Sequence, residues 1–194
     1  MDATEMFLIR HKRTHSRVEA LTDGLTEDQI RERVHPAANP LAWLLWHMAR
    51  IEDAAINLLI SDGPQVLNDE WLARLNVSRR DIGPGMAMAE VLELSARIDL
   101  ASLKDYWRAV GERTATVVAG LSPSDLDEVV SQERLRRVVV DDEIVEGPTG
   151  PRLQAFWKDT TRGYFLVYLP LTHNYEHIGQ ADLLRGLLGR PGPF

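Results

Sequence analysis

The sequence predicts a mainly α-helical protein, a four-helix bundle with one long loop and one small β-hairpin insertion. Apolar residues recur at intervals of three and four over long stretches, as on one face of a helix. Pro/Gly-rich breaks separate these stretches, and just one short segment has strand character. The chain has 194 residues, enough for one well-packed core without disulfides. We therefore predict a single helical-bundle domain over residues 1–194.

The first half of the chain predicts two long helices. The first covers about residues 3–21 and carries an apolar row of Phe7, His11, Thr14, Val18 and Leu21. A short helical turn follows at Thr26, which can form a capping box with Gln29. The second long helix is expected to take Asn39 as its N-cap and Pro40 as its first residue. It should run to about Ile60 and be deeply buried, because its first half is apolar nearly all round.

The middle of the chain predicts a connection and a third helix. Residues 62–88 form a long connection, which Trp71 and Leu75 are expected to fix to the body of the protein. A helical region then covers about 88–119, with a break near Asp99 that would cap its longer part.

The last part predicts the hairpin and a fourth helix. In residues 135–146, two valine- and isoleucine-rich runs flank Asp141-Asp142, which favours a small β-hairpin. The final helix should span about 161–188, and Pro170 should kink it by freeing the carbonyl of Leu166.

Composition excludes several classes of function. There are no cysteines, so disulfides, thiolate metal sites and cysteine nucleophiles are excluded. The formal net charge of −7 argues against nucleic-acid and acidic-membrane partners. No segment has the roughly 18 apolar residues of a membrane-spanning helix, and the N-terminus lacks the order of a signal peptide. We expect a soluble cytoplasmic protein.

Two histidines on the last helix suggest a metal site. His173 and His177 are four residues apart, so their rings lie on one face, in a row that continues through Gln180, Leu184 and Leu187. That row should point inward. Buried imidazoles need hydrogen-bonding or metal partners, and one divalent ion can bind a ring nitrogen of each histidine.

His47, in the buried half of the second helix, is the best candidate for a third ligand. Three neutral imidazoles leave a coordination position open and suit zinc, nickel or iron. Gln180 and Glu176 could hold a ring N–H. The alternative is that each histidine merely bonds a carbonyl or a carboxylate in the core.

Other histidine patterns are weaker. His173 to His177 matches the H-x-x-E-H pattern of inverted zinc proteases, but no glutamate follows His177 to complete that site. His11 and His15 form a second i, i+4 pair in the basic stretch RHKRTH. We expect one or both of them to lie at a solvated rim, with His11 an outside candidate for lining the site.

The segments NPLAWLLWHMARIED and THNYEHIGQADLLRGLLG, with the spacing between them, resemble the DinB-like bundle superfamily. The resemblance implies an up-down-down-up bundle, a divalent metal on His47, His173 and His177, and frequent homodimers. Some members are enzymes that use low-molecular-weight thiols, including mycothiol-dependent isomerases and bacillithiol or mycothiol S-transferases. This chain has Glu176 and Ile178 where members often carry histidine and arginine, which leaves the substrate open.

Three functions fit these observations. The first is a metal-dependent S-transferase acting on a mycothiol-type thiol, whose sulfur supplies the nucleophile that a cysteine-free chain lacks. The second is a metal-dependent hydrolase that activates water, with Glu176 as a candidate base. The third is a non-enzymatic, stress-associated binding protein stabilised by its metal. In each case the partner would be a small molecule or the metal itself, not nucleic acid or membrane.

Overall fold

In the computed structural model, which describes residues 2–190, the regular elements are helices. Three segments are π-helical and extend neighbouring α-helices: Ala55–Ile60, Arg137–Asp141 and Tyr168–His173. The α-helices are α1 (Ala3–Ala20), α2 (Glu27–Arg31), α3 (Leu41–Ala54), α4 (Asp69–Leu75), α5 (Met88–Arg97), α6 (Leu100–Ala119), α7 (Pro123–Asp127), α8 (Gln132–Arg136), α9 (Thr149–Phe156), α10 (Arg162–Val167) and α11 (Asn174–Leu187).

Helices α1 and α11 run in the same direction. Arg10 donates to the Tyr175 hydroxyl at 3.0 Å, and Arg17 pairs with Asp182 at 2.5 Å, so residue numbers rise together along both helices. Helix α1 is antiparallel to α6. Glu19, near the end of α1, pairs with Arg108 at 2.9 Å, whereas the earlier His15 lies beside the later Gly111, where an added Cβ would be 2.4 Å from its ring.

Helices α3 and α6 also share a direction. Arg50 donates to the Tyr106 hydroxyl at 3.0 Å, and Arg113 donates to Asn57 at 2.8 Å. The four long helices therefore run up, down, down and up in chain order, and the connection between α3 and α6 crosses the length of the bundle.

Helix starts follow the predicted local signals in two of three cases. Thr26 and Gln29 form the reciprocal capping box, and Asp99 caps α6 through the amide of Ser102 at 2.7 Å. The prediction for α3 was wrong by one residue: Pro40 is the N-cap, and no side chain caps this helix. Its start is instead buried, which fixes α3 by packing.

All 14 residues of α3 are buried, including three charged side chains. The Arg50 guanidinium donates hydrogen bonds to Asp53 at 3.0 Å, to the Tyr106 hydroxyl at 3.0 Å and to Gln65 at 2.7 Å. The Tyr106 hydroxyl in turn donates to Asp53 at 2.5 Å. This closed polar network ties α3 to α6 and to the connection that follows α3.

The long connection contains α4 and packs on the bundle as predicted. Leu75 is fully buried, and the Trp71 ring lies 5.4 Å from that of Tyr106. The connection then returns to α3 at Ile82 and Gly83, beside His47.

The predicted β-hairpin at residues 135–146 was wrong. That segment forms the end of α8, the π-helical turn Arg137–Asp141 and a bend. Leu135, Val138 and Val139 are all buried and keep the i, i+3, i+4 spacing of a helix face. Burial of this face outweighs the strand preference of the valines. Among residues 2–190 the one β-bridge joins Val129 to Thr161.

Pro170 widens the final helix. The segment Tyr168–His173 is π-helical and joins α10 to α11. Proline removes one backbone donor from the helix interior, which agrees with the irregularity predicted there. A π-turn shifts the register of the residues that follow it, and His173 is its last residue.

Within residues 2–190, no helix has both the length and the apolar character needed to cross a bilayer.

Candidate metal centre

The fold brings His47, His173 and His177 together. One potential ligand atom from each lies within 4.8 Å of the others. The Nε2 atoms of His173 and His177 are 3.2 Å apart, and both rings contact the His47 ring edge-on, at centroid distances of 5.0 Å and 4.9 Å. The cluster lies where α3 faces the start of α11.

His47 is held by one ring stack and one hydrogen bond. Its ring stacks on Trp43 at 4.6 Å, and its Nδ1–H donates to the carbonyl of Ile82. Gly83 makes this close approach possible: its φ is +100°, and a Cβ there would lie 2.9 Å from the Trp46 ring. The Ile82 amide donates to the carbonyl of Ile144 at 3.0 Å, which fixes the carbonyl that holds His47.

His177 is oriented by Gln180. Its Nδ1 lies 3.0 Å from the amide oxygen of Gln180, so Nδ1 carries the proton and Nε2 faces the cluster. This is the supporting contact predicted for Gln180. Glu176, the other predicted support, has an exposed side chain.

The predicted inward row on the last helix was partly wrong. Leu184 is buried, but Gln180 and Leu187 are exposed, and His173 and His177 are half-buried. The buried face of α11 consists instead of Asn174, Ile178, Ala181, Leu184 and Arg185. The two histidines therefore lie at the edge of the core, where a ligand can reach them from solvent.

The three imidazoles are neutral at pH 7. Burial lowers the pKa of His47 to about 3, assisted by the neighbouring His173 and His177. Burial and His177 lower the pKa of His173 to about 4. Burial also lowers the pKa of His177. Each ring therefore has a free nitrogen lone pair, the form that binds metal.

The geometry fits a divalent ion. Since His47 and His177 carry their protons on Nδ1, their Nε2 lone pairs are free. Nitrogens bound to zinc at about 2.0–2.1 Å in a tetrahedral site lie about 3.3 Å apart, close to the 3.2 Å between His173 and His177. A three-nitrogen set at the edge of the core leaves a position for water or substrate.

A second cluster was missed from the sequence. His11 is buried, and its Nε2 lies 2.7 Å from Oε1 of Glu52; the Nε2 of His15 lies 3.0 Å from the same oxygen. His11 therefore does not lie at a solvated rim, and His15 is half-buried. The i, i+4 spacing and the place of His11 on the apolar row were the available signals. Glu52, fully buried in α3, had not been singled out.

Glu52 accepts two further hydrogen bonds. Thr114 donates to Oε1 at 2.8 Å, and Asn174 donates to Oε2 at 3.4 Å. Despite full burial, which by itself would raise it, the pKa of Glu52 is lowered by His15 and His11. Glu52 is therefore an ionised carboxylate at the centre of the bundle.

A helical bundle that brings three neutral histidines from two facing helices to one point defines a class of candidate metal-binding proteins. The chain belongs to the DinB superfamily, whose family model matches residues 10–181. A crystal structure described as a conserved protein from Enterococcus faecalis has the same fold, with a TM-score of 0.69 at 20% identity over 98% of this chain and 99% of that one. No protein with a curated description matches this chain.

Proposed function

We propose that the protein is a divalent-metal-dependent enzyme with His47, His173 and His177 as its metal ligands. The convergence of three neutral imidazoles at the edge of the core carries this proposal. Membership of the DinB superfamily supports it, and the donor set suits zinc, nickel or iron. A divalent ion held there would lower the pKa of a thiol or water that reaches the open position.

The reaction that we favour is S-transfer from a low-molecular-weight thiol of the mycothiol type. The chain has no cysteine, so the sulfur nucleophile would come from the thiol itself. In such a transfer the sulfur forms a bond to an electrophilic carbon, the leaving group departs with its electron pair, and the thiol proton passes to solvent. No protein base is needed, which agrees with the exposed position of Glu176.

Hydrolysis is the second candidate. The half-buried His173 and His177 leave a position at which water could bind, and Glu176 lies next to His177 in the chain. As an exposed residue, however, Glu176 is not held toward the triad by any hydrogen bond among the described residues. This favours the transferase over the hydrolase.

Metal content is the first test. Protein purified without a polyhistidine tag should contain a transition metal that is lost in His173→Ala and in His47→Ala. His35→Ala is the matched control, because His35 lies in a loop and bonds the amide of Ala37. Metal content unchanged by the two ligand variants would contradict the proposed ligand set.

Activity separates the candidate reactions. The transferase predicts metal-dependent consumption of mycothiol with a haloaromatic electrophile, followed by absorbance and abolished in His47→Ala. Turnover of an activated ester without thiol would instead support the hydrolase. If metal raises the melting temperature while neither reaction exceeds background, the protein is a metal-stabilised binding protein and the enzymatic proposal fails.

The superfamily resemblance also leads us to propose a homodimer in the cytoplasm. Light scattering coupled to size exclusion would show twice the chain mass of 21.9 kDa. A monomeric mass at micromolar concentration would contradict the dimer.

A further inference from the structure

The cluster of His11, His15 and Glu52 lies outside the triad and plays no part in the proposed reaction. We propose that these three residues form a second divalent-metal site, built from α1 and α3 and enclosed by α6. One potential ligand atom from each residue lies within 4.8 Å of the others.

The donor set is suited to a transition metal. Two imidazole nitrogens and one carboxylate oxygen are ligands common to zinc and iron(II) sites. The Nε2 atoms of both histidines point at the carboxylate, at 2.7 Å and 3.0 Å from Oε1. These separations are a few tenths of an ångström below those of ligands sharing a tetrahedral zinc, so a small movement of the rings admits the ion.

Charge balance provides an independent reason. Glu52 is fully buried, and its hydrogen-bonding partners among residues 2–190 are His11, His15, Thr114 and Asn174. None of these partners carries the permanent charge of lysine or arginine. Elsewhere in the same helix the buried Asp53 is paired with Arg50 at 3.0 Å. A divalent ion on the two histidines would add positive charge beside this carboxylate, in the role that Arg50 has beside Asp53.

Packing also orients the two rings toward Glu52, so that only a small shift is needed when an ion binds. His15 stacks on Trp107 at 3.9 Å, and His11 stacks on Phe7 at 5.4 Å. Gly111 leaves the space that the His15 ring occupies, since a Cβ there would lie 2.4 Å from Cε1. Ligands that are already packed in place lose little conformational freedom when an ion binds.

Enclosure indicates a structural site. The side chains of Glu52 and His11 are 0% and 5% exposed, whereas that of His15 is 13% exposed. The cluster therefore has no opening for a substrate of the kind that the triad has. The ion would enter past His15 and would stabilise the packing of α1 against α3 and α6.

Counting cobalt ions tests this proposal on the intact chain. Chelator-treated wild-type protein titrated with Co²⁺ should bind two equivalents, measured by elemental analysis after desalting and by visible d–d absorption. Glu52→Gln and His15→Asn should each bind one equivalent. Thr114→Val, which removes a hydrogen bond to Glu52 but no proposed ligand, should still bind two.

The decisive variant leaves the second site untouched. His47→Ala/His173→Ala should retain one equivalent of Co²⁺, with an absorption spectrum different from that of Glu52→Gln. This result stands even if the Glu52 variant does not fold. No bound Co²⁺ in the double variant would overturn the proposal and leave a hydrogen-bonded network only. One equivalent in the wild type that is retained in the double variant and lost in Glu52→Gln would overturn the proposed function and support the second site.

Discussion

Asn174 donates from Nδ2 to Oε2 of Glu52 at 3.4 Å, and it directly follows the triad residue His173. This contact joins the two histidine clusters through one side chain. Asn174 and Glu52 are both fully buried, so neither can exchange its partner for bulk water.

Substitution of Asn174 should destabilise the protein in a pH-dependent way. Asn174→Ala removes a donor from the buried carboxylate and should lower the free energy of unfolding by about 1–3 kcal/mol. Asn174→Asp adds a second carboxylate beside Glu52, so at pH 7 it should lower the free energy of unfolding more than Asn174→Ala does. That excess should shrink toward pH 4, as the new carboxyl binds a proton. Urea denaturation at both pH values measures this, and equal losses for both variants would contradict it.

The loop that holds His47 should not tolerate a side chain at Gly83. Gly83 has a φ of +100°, which an alanine rarely adopts. The new Cβ of Gly83→Ala would also lie 2.9 Å from Trp46 and 3.0 Å from Trp43, so the loop would have to move. We expect a loss of about 1–3 kcal/mol, together with weaker metal binding at the triad. Gly186→Ala is the control, because nothing lies within 4 Å of its Cβ. It should stabilise α11 by about 0.5–1 kcal/mol. Thermal unfolding compares the two, and a neutral Gly83→Ala would show that the loop is free to move.

Metal-free protein should lose stability as the pH falls below about 6.5. The folded-state pKa of His47 is lowered to about 3, so between these values the unfolded chain binds a proton that the folded chain does not. Each such proton reduces the free energy of unfolding by about 1.4 kcal/mol per pH unit. His47→Phe keeps a ring for Trp43 to stack on and should show a slope shallower by about one proton. Denaturant titrations from pH 7 to pH 5 measure both slopes, and parallel curves would refute the assignment.

Gln180 should tune metal affinity without being a ligand. It fixes the Nδ1 proton of His177 at 3.0 Å, and loss of such a supporting bond lowers metal affinity by roughly 10- to 100-fold. Gln180→Ala should show this loss in a competition titration with a chromogenic chelator. Glu176→Gln, on the same exposed turn, should leave the affinity unchanged. A larger effect from Glu176→Gln would assign the glutamate a direct role at the site.

Local chemistry made several elements predictable. The capping box at Thr26 and the Asp99 cap depend on residues three positions apart, so the sequence contains all the interacting groups. The triad was predictable for a similar reason. His173 and His177 share a helix face, and His47 lies in an apolar helix that had to be buried.

Other features depend on tertiary contacts. The valines at 138–140 have strand preference, and only the burial of their helix face decides the outcome. His11 lies in a basic stretch, and its partner Glu52 is 41 residues away. The exposure of Leu187 follows from how α11 sits against α1 and α3, where Ile178, Ala181 and Leu184 form the contact face.

The hydrogen bond from the Ile82 amide to Ile144 extends the support of His47 to a distant part of the chain. Ile144 belongs to the excursion between Val129 and Thr161, whose ends are bridged to each other. Substitutions in this excursion that displace Ile144 should therefore shift the Ile82 carbonyl that orients His47, although the excursion contains none of the three histidines. A segment that contributes no proposed ligand therefore helps to set the direction of one imidazole in the triad.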